Sequence, residues 1–286
     1  MDLKARIASE LNISDRQVGA VIDLLGEGRT VPFIARYRKE ATGSLDEVAI
    51  SSIRDRLDQL EKLEKRRGAI LGSLEERGLL SAELKERING AGDMTALEDI
   101  YLPFRPKRKT RASVAREKGL GPLADILLRQ DDDPPADIEA VAFTFVDVEK
   151  GVDSFLEALE GARDIIAETV SEDAASREAV RRLFREKGTI SSRVARGKDE
   201  EGATYRDYFE WEEPLRSAPS HRILAMMRGE REKVLRLSIA PPVEEAEKIL
   251  FASFVRGSTP AAEQVALAVK DGYKRLLSLS IASEMR

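Results

Sequence analysis

The 286-residue sequence contains no cysteine and only one histidine, His221. Without cysteine, the chain has no disulfide framework, no thiolate nucleophile and no cysteine metal site. A single histidine likewise excludes a metal centre built from several imidazoles. No apolar run approaches the ~18 residues of a membrane-spanning helix, and the first residues alternate in charge instead of forming the apolar core of a secretion signal. These absences predict a soluble, cytoplasmic protein with no membrane partner, no resident metal and no cofactor.

The sequence motifs of common enzyme classes are also missing. The segment GEGRTV (26–31) lacks the spacing and the Lys-Ser/Thr pair of a phosphate-binding loop, and there is no nucleophile elbow, HExxH motif or EF-hand loop. Carboxylates recur three or four residues from lysine or arginine, which is typical of solvated helix faces. Asp131, Asp132 and Asp133 could bind a divalent ion, but a charged linker is the commoner use of such a run. We therefore predict that the chain is not an enzyme.

Helix-forming residues are abundant. Leu, Ala, Glu, Arg and Lys are plentiful, whereas aromatic residues make up only 5% of the chain. Apolar residues recur at helical spacing from about Leu45 to Arg77, which predicts one long helix with a heptad-like seam. Alternating apolar and polar residues appear only around 188–240, as in KVLRLSI (233–239). We predict a mainly α, multi-helical fold with a long central helix and a small β element near 188–240.

The N-terminal segment LKARIASELNISDRQVGAVIDLLGEG (3–28) predicts two short helices joined by a tight turn, in the manner of a helix-turn-helix. Ser14 and Gln17 have the spacing of a capping box at the start of the second helix. A helix that reads a major groove presents basic or amide side chains. The second helix offers these, but also carries acidic residues, which favours packing or partner contact as the other interpretation. The basic and amide residues are Arg16 and Gln17, and the acidic residues are Asp15, Asp23 and Glu27.

The segment DDDPPAD (131–137) predicts a domain boundary, because paired prolines do not continue a helix. The expected domains are a helical region at 1–130, with the helix-turn-helix and the long helix, and a helical region at 137–286, with a small hairpin or sheet. The last helical pattern runs to Arg286 without a breaker. This predicts that the chain is truncated before a further domain.

Positive charge is concentrated in one place, which we call the basic stretch (residues 105–118). This window holds seven basic residues and one acidic residue, a net charge of +6; because the whole chain carries −5, the remainder carries −11. A second, smaller basic cluster lies beside Tyr37. Such clusters bind phosphates without reading sequence, although a surface loop paired with acid elsewhere in the chain is an equal alternative. The predicted phosphate contacts are Arg105, Lys107, Arg108, Lys109 and Arg111, with Arg36, Arg38 and Lys39 added if the fold brings them near.

Four segments together resemble the Tex family of bacterial transcription accessory proteins. They are TVPFIARYRKEATGSLDE (30–47), LEDIYLPFRPKRKTRASVAREKGLGPLA (97–124), RGKDEEGATYRDYFEWEEPLRSAPSHRILAMMRGE (196–230) and AVKDGYKRLLSLSIASEMR (268–286). Members of that family are similar to a eukaryotic transcription elongation factor. They continue into a YqgF/RuvC-like domain, a helix-hairpin-helix region and an OB-type barrel. The resemblance implies that this chain is the N-terminal helical region, before the YqgF-like domain.

The resemblance implies a link to transcription and to nucleic acid. The expected function is a non-catalytic scaffold with an auxiliary surface that binds RNA or DNA weakly, through phosphates. The alternative is a protein-interaction module that docks on the transcription machinery or on the C-terminal domains of the same protein. The resemblance transfers no catalytic residue, because the nuclease-like domain is not in the sequence.

Overall fold

The computed structural model describes residues 2–106, 108–130 and 137–286. Two compact units divide the chain, Met1–Phe104 and Arg105–Arg286. Two sequence predictions fall partly or wholly outside the described residues: Lys107 of the basic stretch, and Asp131, Asp132 and Asp133 of the proposed boundary. The domain boundary at 131–137 therefore stays a prediction.

The first unit, as far as it is described, is built from α-helices and a short 3-10 turn at Leu102–Phe104. Its helices are α1 (Leu3–Leu11), α2 (Asp15–Gly26), α3 (Val31–Tyr37), α4 (Lys39–Thr42), α5 (Glu47–Glu76), α6 (Ala82–Gly90) and α7 (Met94–Tyr101).

The long helix α5 organises the first unit. Its 30 residues extend for about 45 Å at the usual rise of ~1.5 Å per residue. It packs against α1, α2, α3, α6 and α7. The side chains that it buries recur along one face, because positions three and four apart share a side of a helix. They are Ile50, Ile53, Leu60, Leu63, Ile70 and Leu74.

The second unit carries the remaining described elements. Its helices are α8 (Arg111–Glu117), α9 (Gly121–Arg129), α10 (Ile138–Phe143), α11 (Phe155–Glu172), α12 (Ala174–Lys187), α13 (Ser220–Arg231), α14 (Val243–Phe254), α15 (Pro260–Gly272) and α16 (Ser278–Glu284). Its strands are β1 (Thr189–Val194), β2 (Glu210–Pro214) and β3 (Leu235–Ala240). A π-helical turn at Tyr273–Leu277 joins α15 to α16.

The three strands form one antiparallel sheet in the order β2-β1-β3. Ile190 on the central strand pairs with Glu213 and Ile239, and it is fully buried. The neighbouring residues of β1 alternate between buried and partly exposed, as expected for a sheet with one covered face. The period-two pattern of the sequence therefore identified the β region correctly.

Helix α11 lies at the centre of the second unit and packs against α8, α9, α10, α12 and α15. Small residues on α11 allow these close contacts: a Cβ added at Gly161 would meet the Leu120 side chain at 2.3 Å. Half of the residues of α11 are buried, and its packing fixes the position of α8 at the end of the basic stretch.

The predicted fold class is confirmed: the chain is mainly α-helical, with a long helix and a small β element inside residues 188–240. The two N-terminal helices and the Ser14–Gln17 capping box also form as expected. In the part of the chain that the structure describes, no helix is long and apolar enough to cross a membrane.

Candidate nucleic-acid interface

The basic stretch is part loop and part helix. Residues 105–106 and 108–110 have no regular structure, and α8 begins at Arg111. Thr110 caps α8: its side chain accepts from the Ser113 N–H at 3.0 Å, while Ser113 Oγ accepts from the Thr110 N–H at 2.8 Å. This capping box ends the loop at a defined point.

Arg116 and Lys118, at the end of the basic stretch, contact other elements of the second unit. Arg116 donates to the buried carboxylate of Glu168 on α11 at 2.5 Å, and Thr110 Oγ1 donates to the same carboxylate at 3.0 Å. The Lys118 ammonium donates to the Gly151 carbonyl oxygen at 2.6 Å. These contacts attach α8 to α11 and the following loop, so Arg116 and Lys118 serve the fold. Neither was among the predicted phosphate contacts.

The described residues that were predicted to contact phosphate are exposed. They are Arg105, Arg108, Lys109 and Arg111. Lys109 lies 3.6 Å from the Glu117 carboxylate, in a pair with both side chains well solvated, and such pairs hold a lysine weakly. Arg111 occupies the first turn of α8, where a cation opposes the helix dipole. Its position is therefore not explained by helix stability. Lys107 lies outside the described residues.

A cleft of about 710 Å³ borders the basic stretch. Its lining includes the basic residues Lys109, Arg111 and Lys118, and also acidic side chains of α11 and the segment before it, which we call the acidic wall. Those acidic residues are Asp153, Glu157, Glu160 and Asp164. A phosphate inside the cleft would be repelled by this wall. The cleft interior is thus a poor phosphate site, and the candidate contacts are Arg105, Arg108 and the solvent-exposed parts of Lys109 and Arg111.

Asp164 at the acidic wall is held by Arg275 of the π-helical turn, at 2.8 Å. Burial raises the pKa of Asp164, while the charges of Arg275 and Arg111 oppose that rise. Arg275 also pairs with Asp271 at 2.5 Å, and the hydrogen bond that it donates to the Asp271 carboxylate raises the pKa of Arg275. The π-helical turn therefore supports one wall of the cleft.

The second basic cluster belongs to the first unit. Arg36 lies on α3, Arg38 at the break between α3 and α4, and Lys39 at the start of α4. All three side chains are exposed, as is the neighbouring Tyr37. The structure thus makes these residues accessible, and their contribution to phosphate binding stays a prediction.

Of the two residues of α2 that could read a major groove, Arg16 and Gln17, Gln17 forms hydrogen bonds within the first unit. Gln17 caps α2 with Ser14, and its amide nitrogen donates to the Thr42 and Gly43 carbonyl oxygens at 3.2 and 3.4 Å. Arg16 is exposed. The amide of Gln17 holds α2 to the end of α4, which favours the packing interpretation.

The single histidine and the aromatic residues at 205–211 are two further features of the sequence whose positions the structure gives. His221 is exposed in the first turn of α13. The aromatic residues at 205–211 pack on the core of the second unit, with Tyr205 buried. Within residues 2–106, 108–130 and 137–286, no three His, Asp or Glu side chains gather as a metal site.

Comparisons with known proteins identify two matching regions. Residues 1–75 match the model described as "Tex-like protein N-terminal domain". Residues 133–286 match the model described as "Tex central region-like". The second match alone covers more than half of the chain.

Individual relatives agree with these matches. The chain is 40% identical to the protein YdcI of Bacillus subtilis, over 99% of this chain and 40% of the relative. It is 43% identical to the transcriptional accessory protein Tex of Neisseria gonorrhoeae, over 84% of this chain and 31% of the relative. A more distant human relative, S1 RNA-binding domain-containing protein 1, is 25% identical over 83% of this chain and 24% of its own length. The chain thus spans less than half the length of these relatives, and it belongs to the Tex family.

Proposed function

We propose that this region contributes an auxiliary surface that binds nucleic acid through phosphates, without reading sequence and without catalysis. The observation that carries the proposal is the exposure of Arg105, Arg108, Lys109 and Arg111 in a chain that is acidic elsewhere. Isolated positive charge on an acidic protein binds polyanions locally, since the surrounding field repels them. The proposed function is thus confined to a small surface.

The names of the relatives support a link to transcription and to nucleic acid. The gonococcal relative is named a transcriptional accessory protein, and the human relative is named for an S1 RNA-binding domain. Because the chain spans only part of these proteins, we infer that it supplements binding by other regions. Binding by this chain alone should therefore be weak, at micromolar Kd or above.

Sequence-independent binding follows from the residue types. Arginine and lysine on a loop contact phosphate oxygens, which are the same at every base pair. Groove reading needs a helix with free donors and acceptors, whereas Gln17 on α2 is engaged by Thr42 and Gly43. We expect similar affinity for sequences of equal length and strandedness.

A second candidate function is a protein-interaction module. Large apolar side chains are exposed close together in sequence in the second unit: Phe143 is 67% exposed, Val148 72% and Leu156 62%. Contiguous exposed apolar surface marks protein contacts, and aromatic residues such as Phe143 are enriched there. This candidate predicts binding to a protein that depends on these residues and not on the basic stretch.

Binding of a fluorescent oligonucleotide at fixed low salt tests the proposal. In the test variant, Arg108, Lys109 and Arg111 are all replaced by alanine. In the matched control, three exposed cations of α5 are replaced, so that the net charge changes equally: Arg54, Lys62 and Lys65. We expect the test variant to lose at least tenfold in affinity and the control much less. Equal losses would mean that only net charge matters, and unchanged binding in both would favour the protein-interaction module.

A further inference from the structure

Helix α3 carries an aromatic pair, Phe33 and Tyr37, and two guanidinium groups lie over the Phe33 ring. The rings of Phe33 and Tyr37, one helical turn apart, have centroids 5.3 Å apart at an interplanar angle of 45°. The Cζ atoms of Arg29 and Arg38 lie 5.3 and 5.5 Å from the Phe33 ring centroid. Arg38 also donates to the Tyr37 carbonyl oxygen at 3.4 Å. Phe33 is thus enclosed by Arg29, Arg38 and Tyr37, whereas the outer part of the Tyr37 ring faces solvent.

The exposure of Tyr37 is unusual within this chain. Of the five tyrosines, three are buried and Tyr208 is partly buried, whereas Tyr37 is 61% exposed. A tyrosine packed only for stability would bury most of its ring. An exposed ring held in a fixed orientation by its neighbours is instead suited to stack against a flat partner.

The charges around Tyr37 select the chemistry of that partner. Arg36, Arg38 and Lys39 adjoin Tyr37 in sequence and are exposed like it, and Arg29 is only weakly offset by Glu27 at 3.7 Å. The nearest acidic residue in sequence is Glu40, which is also exposed. A cationic ligand would be repelled from this ring. An uncharged planar group attached to a negatively charged backbone fits both the ring and its surroundings.

We propose that Tyr37 is a stacking site for one unpaired base of single-stranded nucleic acid, with Arg36, Arg38 and Lys39 contacting the flanking phosphates. This inference rests on the proposed function. It restricts the expected ligand to single-stranded nucleic acid, in which the faces of the bases are accessible. Stacking on an aromatic side chain tolerates any base, because every base has a π face. The site therefore adds affinity for single strands without adding sequence preference.

The decisive probe is a pair of labelled 15-mers that differ only in their bases: oligo(dT), and an abasic deoxyribose-phosphate strand with the same charge. We expect the chain to bind oligo(dT) roughly tenfold more tightly, the usual scale for one stacked base. Tyr37→Leu should abolish this difference and leave binding of the abasic strand unchanged. Tyr37→Phe should retain it, because the ring remains.

Two controls separate stacking from stability and from the proposed function. Phe143→Leu removes an aromatic ring of similar exposure elsewhere and should leave the preference for oligo(dT) intact. Equal, salt-dependent binding of both strands by the unmodified chain would overturn the stacking site alone. Failure to bind either strand would overturn the proposed function as well. If Tyr37→Leu lowers the melting temperature while the base preference persists, the aromatic pair serves only the fold.

Discussion

The carboxylate of Glu168 accepts hydrogen bonds from Thr110, at the start of α8, and from Arg116, near its end. Replacing it with glutamine keeps the shape and removes the charge. Because Arg116 is partly solvated, we expect Glu168→Gln to lower the free energy of unfolding by about 1–3 kcal/mol. Urea denaturation would measure this change.

Glu117→Gln is the matched control for that substitution. Glu117 also pairs with a cation of the basic stretch, Lys109, but both side chains are exposed. Its loss should change stability by less than ~0.5 kcal/mol. If the two variants are equally stable, the Glu168 contacts do not hold α8 in place.

Glu10 gives the first unit an acid-sensitive contact. The hydrogen bond from Arg56, with help from Arg6, lowers the pKa of Glu10 from 4.5 to about 2. A group with a lowered folded-state pKa stabilises the fold above its unfolded pKa, and that contribution disappears as pH falls through the folded pKa. The contribution of Glu10 should thus be complete at pH 6 and decline between pH 4.5 and 2.

Comparison with Glu10→Gln measures that contribution. At pH 6 the variant should be less stable by about 1 kcal/mol, a value kept small by the solvent exposure of the pair. The difference should shrink as the pH is lowered towards 3 in urea titrations. If the difference in stability between the two proteins is constant over this range, the ionisation of Glu10 does not contribute to the free energy of unfolding.

At the scale of elements, the contact of α11 with α15 depends on the absence of a side chain at Gly272. A Cβ there would lie 2.8 Å from the Ala167 carbonyl oxygen and 3.1 Å from its Cα. These are backbone atoms of a buried helix, so they cannot move without shifting α11. We expect Gly272→Ala to destabilise the chain by about 1–3 kcal/mol, as read from the midpoint of thermal unfolding.

Gly72→Ala on α5 is the same chemical change, but we expect it to stabilise the chain. Nothing lies within 4 Å of a Cβ added there, and alanine is the better helix former. The variant should be stabilised by roughly 0.5–1 kcal/mol. Destabilisation of both variants to the same extent would argue against the packing explanation for Gly272.

Helix ends show where local sequence patterns succeed and fail. The capping-box spacing occurs at Ser14 with Gln17, at Ser44 with Glu47 and at Thr95 with Glu98, but only the first of these pairs caps a helix. Asp46 caps α5 and Asp93 caps α7, each accepting from a backbone N–H three residues later. Ser44 has a φ of 63°, outside the extended conformation of an N-cap. Several residues near a helix start have side chains that could cap it. The backbone conformation of the preceding turn determines which of them does.

At the scale of the whole molecule, periodicity predicted the fold class because long stripes of apolar residues need no knowledge of their partners. The candidate site was only half predictable. Clustering of charge in sequence identified Arg105 to Arg111, but not the acidic wall that includes Asp164, nor the buried Glu168 that fixes α8. These groups lie some fifty residues away along the chain, and no local pattern links them to α8. The aromatic pair could have been predicted, because Phe33 and Tyr37 are four residues apart and lie near several arginines in the sequence.

The salt dependence of binding tests the central proposal, an electrostatic surface at the basic stretch, most directly. The slope of log K against log salt concentration reports the number of phosphate contacts, at about 0.7–0.9 per contact. Replacing Arg108, Lys109 and Arg111 with alanine should reduce its magnitude by roughly 2–3 and leave the melting temperature nearly unchanged, since these side chains are exposed. Replacing Arg54, Lys62 and Lys65 should leave the slope close to that of the unmodified chain. A slope unchanged by the first substitution set would contradict phosphate binding at the basic stretch.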